Sequence, residues 1–210
     1  SSINPKEAAM CGINGLVGIS NKQLAEQKIE SMNHALRHRG PNNAGIYSDE
    51  HIALGHRRLS IIDLSEAGNQ PFFSSDRRYV IVYNGELYNY KDLKLQLQRR
   101  PSGSNHTAYI FQTQTDTEVI LAAYIRWGAD CLNHFNGMFA FAIWDVQLKE
   151  LFIARDRLGI KPLYYFYHNN IFGFSSEVRA LLKANIIPPK LNPEALPDYL
   201  RYQTVHAPHT

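Results

Sequence analysis

Met10-Cys11-Gly12-Ile13 is the most informative stretch of the chain. A methionine directly before a cysteine is typical of a gene start at which removal of the initiator leaves cysteine as residue one. Such a cysteine carries a thiol with a usual pKa of about 8.5 and an α-amine at about 7.7–8.0, so nucleophile and base share one residue. Here residues 1–9 precede the methionine, and the nitrogen of Cys11 is an amide without a basic lone pair. The alternative is that Cys11 is a small buried residue, as free cysteines usually are.

The composition is that of a folded domain. With 210 residues, 44% hydrophobic and 20% charged, the chain can bury a core as one domain, with or without a linker. The net charge is +3, and basic residues occur in pairs such as Arg57-Arg58, which favours solvated faces over a nucleic-acid groove. Only Cys11 and Cys131 could form a disulfide, and no apolar stretch is long enough for a signal peptide or a membrane span. We therefore expect a cytoplasmic protein that binds neither nucleic acid nor a membrane.

Hydrophobic patterning predicts a helix near the start and antiparallel hairpins after it. Residues 11–19 form an apolar run typical of a strand, and from 22 to 37 apolar residues recur at helical spacing. Thr115 and the acidic residues after it resemble a helix N-terminus, with an apolar face ending near Gly128. A last short helix is predicted over 176–182. Short β-rich runs, which favour hairpins over βαβ units, cover 51–62, 79–83, 138–144, 151–154, 163–167 and 171–174.

Three polar positions suit chemistry, although the residues alone do not decide their roles. Asn84-Gly85-Glu86 follows the predicted strand 79–83, where amide groups can face a pocket, but Asn-Gly is also the commonest hairpin-turn pair. Arg58 is embedded in a predicted strand and not on a solvent-facing helix. Asp116 is either a ligand or a plain helix cap. None of these three positions indicates a function by itself.

Seven motifs follow one another along the chain. They are CGI at 11–13, RHRGP at 37–41, RLSIID at 58–63, NGE at 84–86, DTEVIL at 116–121, NGMFAFA at 136–142 and RDRLGIKPLYY at 155–165. In this order, over about residues 11–183, they resemble the glutaminase domain of glutamine-hydrolysing asparagine synthetases, a class II glutamine amidotransferase with an N-terminal nucleophile. The amidotransferases for glucosamine phosphate and phosphoribosylamine share the cysteine and the Asn-Gly pair but look different around Arg58 and at 155–162.

The resemblance implies a fold and a reaction. The fold is α+β, a four-layer αββα sandwich of two antiparallel sheets, as in N-terminal-nucleophile hydrolases. Cys11 would attack the side-chain carboxamide of glutamine while its own α-amine takes the thiol proton, giving glutamate and ammonia through a cysteinyl thioester. Asn84 and Gly85 would form the oxyanion hole and contact the substrate.

The same resemblance implies how glutamine is held. Arg58 would bind the α-carboxylate, for which a guanidinium fork is the natural partner. Glu86 and Asp116 would bind the α-ammonium. Main-chain contacts would come from the segment that follows Arg58, namely Leu59, Ser60, Ile61 and Ile62.

Three regions are expected along the chain. Residues 1–10 are an extension, either an expression remnant or a propeptide, and 11–186 form the glutaminase domain. Residues 187–210, rich in proline, are a linker toward a synthetase domain that this chain lacks. Whole asparagine synthetases carry a Ser-Gly-Gly-x-Asp-Ser loop for ATP, and this motif does not occur here. We therefore expect neither cofactor nor metal in this chain, with ATP and Mg²⁺ required only in the synthetase domain.

The expected partners are L-glutamine and the C-terminal synthetase domain, and a homodimer stays open. Two alternatives remain: a non-catalytic or blocked glutamine-binding module, and the glutaminase domain of an amidotransferase with a different acceptor. Retention of all the candidate glutamine ligands favours an active enzyme once Cys11 is N-terminal. While residues 1–10 are attached, we expect a blocked site with the extension over or beside the glutamine pocket. No role is assigned to Cys131.

Overall fold

Two antiparallel β-sheets form the centre of the molecule. The computed structural model describes residues 10–59, 68–100 and 107–205. The first sheet contains β1 (Gly12–Val17), β2 (Asn43–Ser48), β3 (Ile52–Arg58), β8 (Tyr164–His168) and β9 (Ile171–Ser175), in the order β2-β3-β1-β9-β8. The second contains β4 (Phe72–Phe73), β5 (Tyr79–Leu87), β6 (Gly137–Asp145) and β7 (Glu150–Arg155), in the order β4-β5-β6-β7.

The sheets pack face to face through a shared apolar core. Its buried side chains are Ile13, Ile52, Leu54 and Phe174 from the first sheet and Val80, Val82, Ala140, Ala142 and Trp144 from the second. β1 is buried along nearly its whole length because it has a strand on each side and both of its faces are covered. β1 also contacts β5, so the first strand lies close to the second sheet.

Helices cover the outer face of each sheet. On the first sheet lie α1 (Lys22–Ala35) and α4 (Val178–Lys183), and on the second lie α2 (Tyr90–Leu97) and α3 (Asp116–Trp127). The side chain of Asn21 caps α1 by accepting a 3.0 Å hydrogen bond from the Leu24 amide. A 3₁₀ helix, Gly128–His134, follows α3 directly. The layers are therefore helix, sheet, sheet and helix, and the predicted αββα sandwich of antiparallel sheets is confirmed.

The predicted end of the strand before Asn84 is wrong. We expected the strand 79–83 to stop there, but β5 continues to Leu87, and Asn84, Gly85 and Glu86 pair with Ala140, Phe139 and Met138 of β6. The hairpin-turn alternative for Asn84-Gly85 is wrong for the same reason. Long-range pairing with β6 overrides the local turn preference of the Asn-Gly pair.

The chain after α4 also differs from the expected linker. Within 187–210 the structure contains a short helix, α5 (Leu196–Tyr202), with a proline in its first turn, where a missing N–H costs little. Residues 206–210 lie outside the described part. So do residues 1–9, and with them the predicted position of the extension, apart from Met10.

Candidate active site

A cavity of about 610 Å³ opens between the start of β1 and the middle of β5. The structure brings most of the predicted site residues into its lining, namely Cys11, Arg58, Leu59, Asn84, Gly85, Glu86 and Asp116. Ser60, Ile61 and Ile62 lie outside the described residues. These predicted residues, up to 105 positions apart in sequence, thus converge on one cavity.

Cys11 lies just before β1, where the cavity meets the first sheet. Its side chain is half-buried, and Sγ lies 4.0 Å from the carbonyl oxygen of Leu59. Burial raises the pKa of the Cys11 thiol, and the positive charges of Arg58 and Lys161 oppose that rise. The thiol is therefore in a cation-lined site, where a thiolate is easier to form than in an apolar core.

The backbone of Cys11 is held by an arginine that had no role in the sequence analysis. Arg39 is buried and its Nε donates a 3.0 Å hydrogen bond to the Cys11 carbonyl oxygen. Its Nη1 donates to Glu177 Oε1 at 3.2 Å, and His38 Nε2 approaches the same oxygen at 2.8 Å. The nucleophile is thus tied to the residue before α4 through a chain of charge-assisted contacts.

Asn84 presents a hydrogen-bond donor without a partner. Its side chain is 2% exposed, and its Nδ2 makes no hydrogen bond within the described structure. Buried donors are nearly always paired, so a buried amide left open in a cavity wall fits a role in binding an oxygen of a ligand. Gly85 follows it, where a Cβ would lie 2.3 Å from the Met138 carbonyl oxygen, so no other residue fits without a shift.

The backbone just before Asn84 is held by pairing with β4 and by two side chains, one of which comes from the first sheet. β4 pairs with β5 at Val80 and Ile81. At Tyr83 the backbone is instead hydrogen-bonded by side chains. Gln70 Oε1 accepts a 2.6 Å hydrogen bond from the Tyr83 amide, and His56 Nε2 lies 3.2 Å from the Tyr83 carbonyl oxygen. Since a carbonyl oxygen can only accept, His56 Nε2 must carry the proton. Burial lowers the pKa of His56 to about 3, which keeps the imidazole neutral.

Two carboxylates, Asp116 and Glu86, also line the cavity. Asp116 Oδ2 accepts hydrogen bonds from the Tyr83 hydroxyl at 2.8 Å and from the Leu87 amide at 3.1 Å. Burial raises the pKa of Asp116, and these donors oppose the rise. Glu86 is exposed beside it. Asp116 is the first residue of α3, and the side chain of Thr115 is the cap, so the cap interpretation of Asp116 is wrong.

Arg58 is the last residue of β3 and only 9% exposed, which confirms its predicted position in a strand. Its Nη1 donates a 2.9 Å hydrogen bond to Asn69 Oδ1. Gly68 leaves room for the guanidinium, since a Cβ there would lie 2.3 Å from Nη2. These two contacts fix the guanidinium of a residue that lines the cavity.

Lys161 is a second cation that the sequence analysis did not single out. Its Nζ lies 3.2 Å from Met10 Sδ, and both residues line the cavity. Arg39 and Lys161 lie within the motifs RHRGP and RDRLGIKPLYY, but the sequence indicated no function for either. His56 and Tyr83 lie in none of the seven motifs. Their roles arise from contacts between strands that are remote in sequence.

Cys131 lies apart from this cavity, in the apolar core under α3. Burial raises the pKa of its thiol to about 12, so it is not a thiolate at neutral pH. Across residues 10–59, 68–100 and 107–205, no group of three or more histidine, cysteine, aspartate or glutamate side chains could hold a metal ion. In the same part of the chain, no helix has the length and apolar character needed to cross a membrane.

Comparison with known proteins gives one consistent family. The sequence model of the family described as glutamine amidotransferase domain matches residues 10–210. Asparagine synthetase [glutamine-hydrolyzing] 3 of Bacillus subtilis is 42% identical over 177 residues, covering 82% of this chain and 27% of that protein. Putative asparagine synthetase [glutamine-hydrolyzing] 2 of Methanocaldococcus jannaschii is 39% identical over 221 residues, covering 96% of this chain and 41% of that protein.

Solved structures extend the likeness to the fold. The glutamine phosphoribosylpyrophosphate amidotransferase of Bacillus subtilis aligns with a TM-score of 0.63 and 25% identity, covering 83% of this chain and 44% of that one. The chain therefore spans less than half the length of these relatives.

Proposed function

Because the chain belongs to the glutamine amidotransferase domain family, we propose that its cavity hydrolyses the side-chain amide of glutamine to glutamate and ammonia. The observation that carries this proposal is the unpaired, buried Nδ2 of Asn84 in the same cavity as the Cys11 thiol. Acyl transfer uses a nucleophile and a hydrogen-bond donor that can stabilise the oxyanion, and this cavity contains both.

The reaction follows from the chemistry of Cys11 once its nitrogen is a free amine. Sγ forms a bond to the carboxamide carbon, and the thiol proton passes to the α-amine. Asn84 Nδ2 and the Gly85 N–H stabilise the oxyanion that results. The carbon–nitrogen bond then breaks, the α-amine returns the proton to the leaving nitrogen, and ammonia departs from a γ-glutamyl thioester. Water, deprotonated by the same amine, releases glutamate and regenerates the thiol.

Charges around the cavity suit the two ends of an amino acid. Arg58 binds the α-carboxylate in this proposal, with the strand end and Leu59 beside it. Asp116 and Glu86, which line the same cavity, bind the α-ammonium. Glutamine bound between them reaches Cys11 with its side chain. The expected contacts from Ser60, Ile61 and Ile62 belong to the same proposal.

For the whole protein we propose supply of ammonia to an asparagine synthetase domain. Support comes from the two relatives named as glutamine-hydrolysing asparagine synthetases, which this chain covers only in part. ATP and Mg²⁺ are required in that other domain. A different amide acceptor is the second candidate, since "Amidase chry2" of Gibberella zeae is 37% identical over 191 residues and is not named as an asparagine synthetase.

The blocked-module alternative applies to the chain while Met10 is attached. The Cys11 nitrogen is then an amide, and Met10 itself lines the cavity. An amide nitrogen cannot act as the base, and Met10 takes up space in the cavity where glutamine would bind. We therefore propose that activity begins when Cys11 becomes the first residue.

The test compares two cysteine variants of a protein that begins at Cys11. Cys11→Ala should abolish ammonia release and leave the thermal unfolding midpoint within a few degrees of the parent. Cys131→Ala is the matched control and should keep the activity. A glutamine-mimicking alkylating agent should add its mass to Cys11; labelling of Cys131 with Cys11 unmodified would refute the assignment.

A further inference from the structure

Hydrogen bonds to its backbone N–H and carbonyl groups fix the position of Lys161 in the cavity lining. Its N–H donates to Asp156 Oδ2 at 2.9 Å, and its carbonyl oxygen accepts from Arg155 Nε at 2.6 Å. Asp156 also accepts from the Phe139 amide at 3.2 Å, and Phe139 is the β6 partner of Gly85. The position of Lys161 is therefore set relative to the strand that carries the oxyanion donors.

The Lys161 side chain points at the residue that precedes the nucleophile. Nζ lies 3.2 Å from Met10 Sδ, and the residue is 7% exposed. Lys161 and Cys11 line the same cavity, and the charge of each shifts the pKa of the other. When Met10 leaves, the ammonium loses this contact inside the cavity that Cys11 also lines.

We propose that Lys161 is a positioning residue whose positive charge keeps the freed α-amine of Cys11 neutral and able to accept the thiol proton. A nearby cation disfavours protonation of an amine and favours the thiolate, and both effects serve the attack on glutamine. This inference rests on the proposed function, because it assigns the amine as the base.

Two other cations act on Cys11, and both have hydrogen-bond partners in this structure. Arg39 bonds the Cys11 carbonyl oxygen and Glu177, and Arg58 bonds Asn69. Burial lowers the pKa of Lys161 itself, and the charge of Arg39 adds to this effect, while the carboxylates of Glu86 and Asp156 oppose it.

Other titratable groups of the cavity come from β3, β5, α2 and α3, among them His56, Tyr83, Tyr90 and Asp116. Asp116 bonds the Tyr83 hydroxyl, and His56 stays neutral against the Tyr83 carbonyl. Lys161 is thus the cation whose contact in this structure is with the departing residue, which is why we assign the effect to it.

The experiment measures kcat/KM for glutamine from about pH 5.5 to 9 with proteins that begin at Cys11. Lys161→Met should lose activity about three- to tenfold relative to the parent near pH 6.5 and recover to within about twofold near pH 9. Lys161→Arg, which keeps the charge, and Lys183→Met, which removes an exposed lysine on α4, should follow the parent profile.

Two results would overturn the inference. One is a loss with Lys161→Met that is equal at every pH, which indicates a structural role. The other is a Lys161→Arg profile that matches Lys161→Met, which indicates proton transfer by the lysine itself. If Lys161→Met does not fold, Lys161→Gln replaces it.

A second readout separates this inference from the proposed function. The pH midpoint of Cys11 alkylation by iodoacetamide should move upward in Lys161→Met and not in Lys161→Arg; an unmoved midpoint contradicts the role of Lys161. Failure of the parent protein to release ammonia at any pH would count against the proposed function, while the alkylation midpoint would still decide the charge effect.

Discussion

Arg39 Nε donates a 3.0 Å hydrogen bond to the backbone carbonyl oxygen of Cys11. This bond matters because a residue at a chain terminus has no preceding peptide to orient it. Once Met10 is removed, Arg39 and the pairing of β1 are what hold Cys11 in the cavity. The buried guanidinium is in turn paired with Glu177, so the arrangement does not depend on one bond.

Arg39→Ala should lower kcat/KM for glutamine by about tenfold to a hundredfold, because a charge-assisted hydrogen bond of roughly 1.5–3 kcal/mol is lost. Arg37→Ala removes an exposed arginine two residues away and should be close to the parent. The measurement is steady-state ammonia release by proteins that begin at Cys11. Parent-like kinetics in Arg39→Ala would mean that the carbonyl contact does not orient the nucleophile.

Arg58→Ala should raise the KM for glutamine by about ten- to a hundredfold, since the α-carboxylate loses its charge-assisted partner. Glutaramate, which lacks the α-ammonium but keeps a carboxylate, should be affected as well. By contrast, a substrate without the α-carboxylate should bind the parent and Arg58→Ala equally. An unchanged KM for glutamine would remove Arg58 from the binding site.

Asn84→Ala should lower kcat on the order of 10²–10³-fold with little change in KM, because the donor acts on the oxyanion of the transition state. Asn84→Asp has the same shape without the donor and should be equally impaired. Gln98→Ala, an exposed amide at the end of α2, is the control. A pure KM effect in Asn84→Ala would assign Asn84 to ground-state binding instead.

His56 should make the protein sensitive to mild acid. Burial lowers its native pKa to about 3, while the unfolded side chain has its usual value of 6.5. As the pH falls below 6.5 the unfolded chain takes up a proton that the native state does not, so the unfolding free energy falls by up to about 1.4 kcal/mol per pH unit.

Urea unfolding at about pH 7.5, 6.0 and 5.0 tests this, and the window lies above the titration of Asp145 and Asp156, whose pKa values are lowered by their hydrogen bonds in spite of burial. His56→Gln keeps a donor toward Tyr83 without titrating. It should be less stable near pH 7.5 but show a flatter pH dependence; an equal slope in both proteins would mean that other groups cause the acid sensitivity.

Much of the fold was predictable because its signals are local. The cap of α3 at Thr115, the helical spacing of α1 and the short hydrophobic runs of the hairpins all depend on neighbours in sequence. β2 and the extension of β5 through Asn84 were not predicted. The extension of β5 depends on pairing with β6, far along the chain, which outweighs the local preference of Asn and Gly. β2 pairs with β3, the next strand, and was missed because its sequence NAGIYS contains few residues that favour strands.

The active site, like the fold, was predictable only in part. The motifs predicted part of the cavity lining, namely Cys11, Arg58, Leu59, Asn84, Gly85, Glu86 and Asp116. They could not predict that His56 of one sheet donates to the backbone of the other, because that contact exists only after the sheets are stacked. The contacts of Lys161 with Met10 likewise required three-dimensional placement.

The central claim is that the α-amine of Cys11 is the base, and one comparison tests it most directly. Ammonia release from glutamine is measured for the chain with residues 1–10 attached, its intact mass verified before and after the assay, and for the same chain beginning at Cys11. The account predicts release by the second protein and negligible release by the first. Equal rates from both would contradict it, since a chain with an amide at Cys11 has no such base.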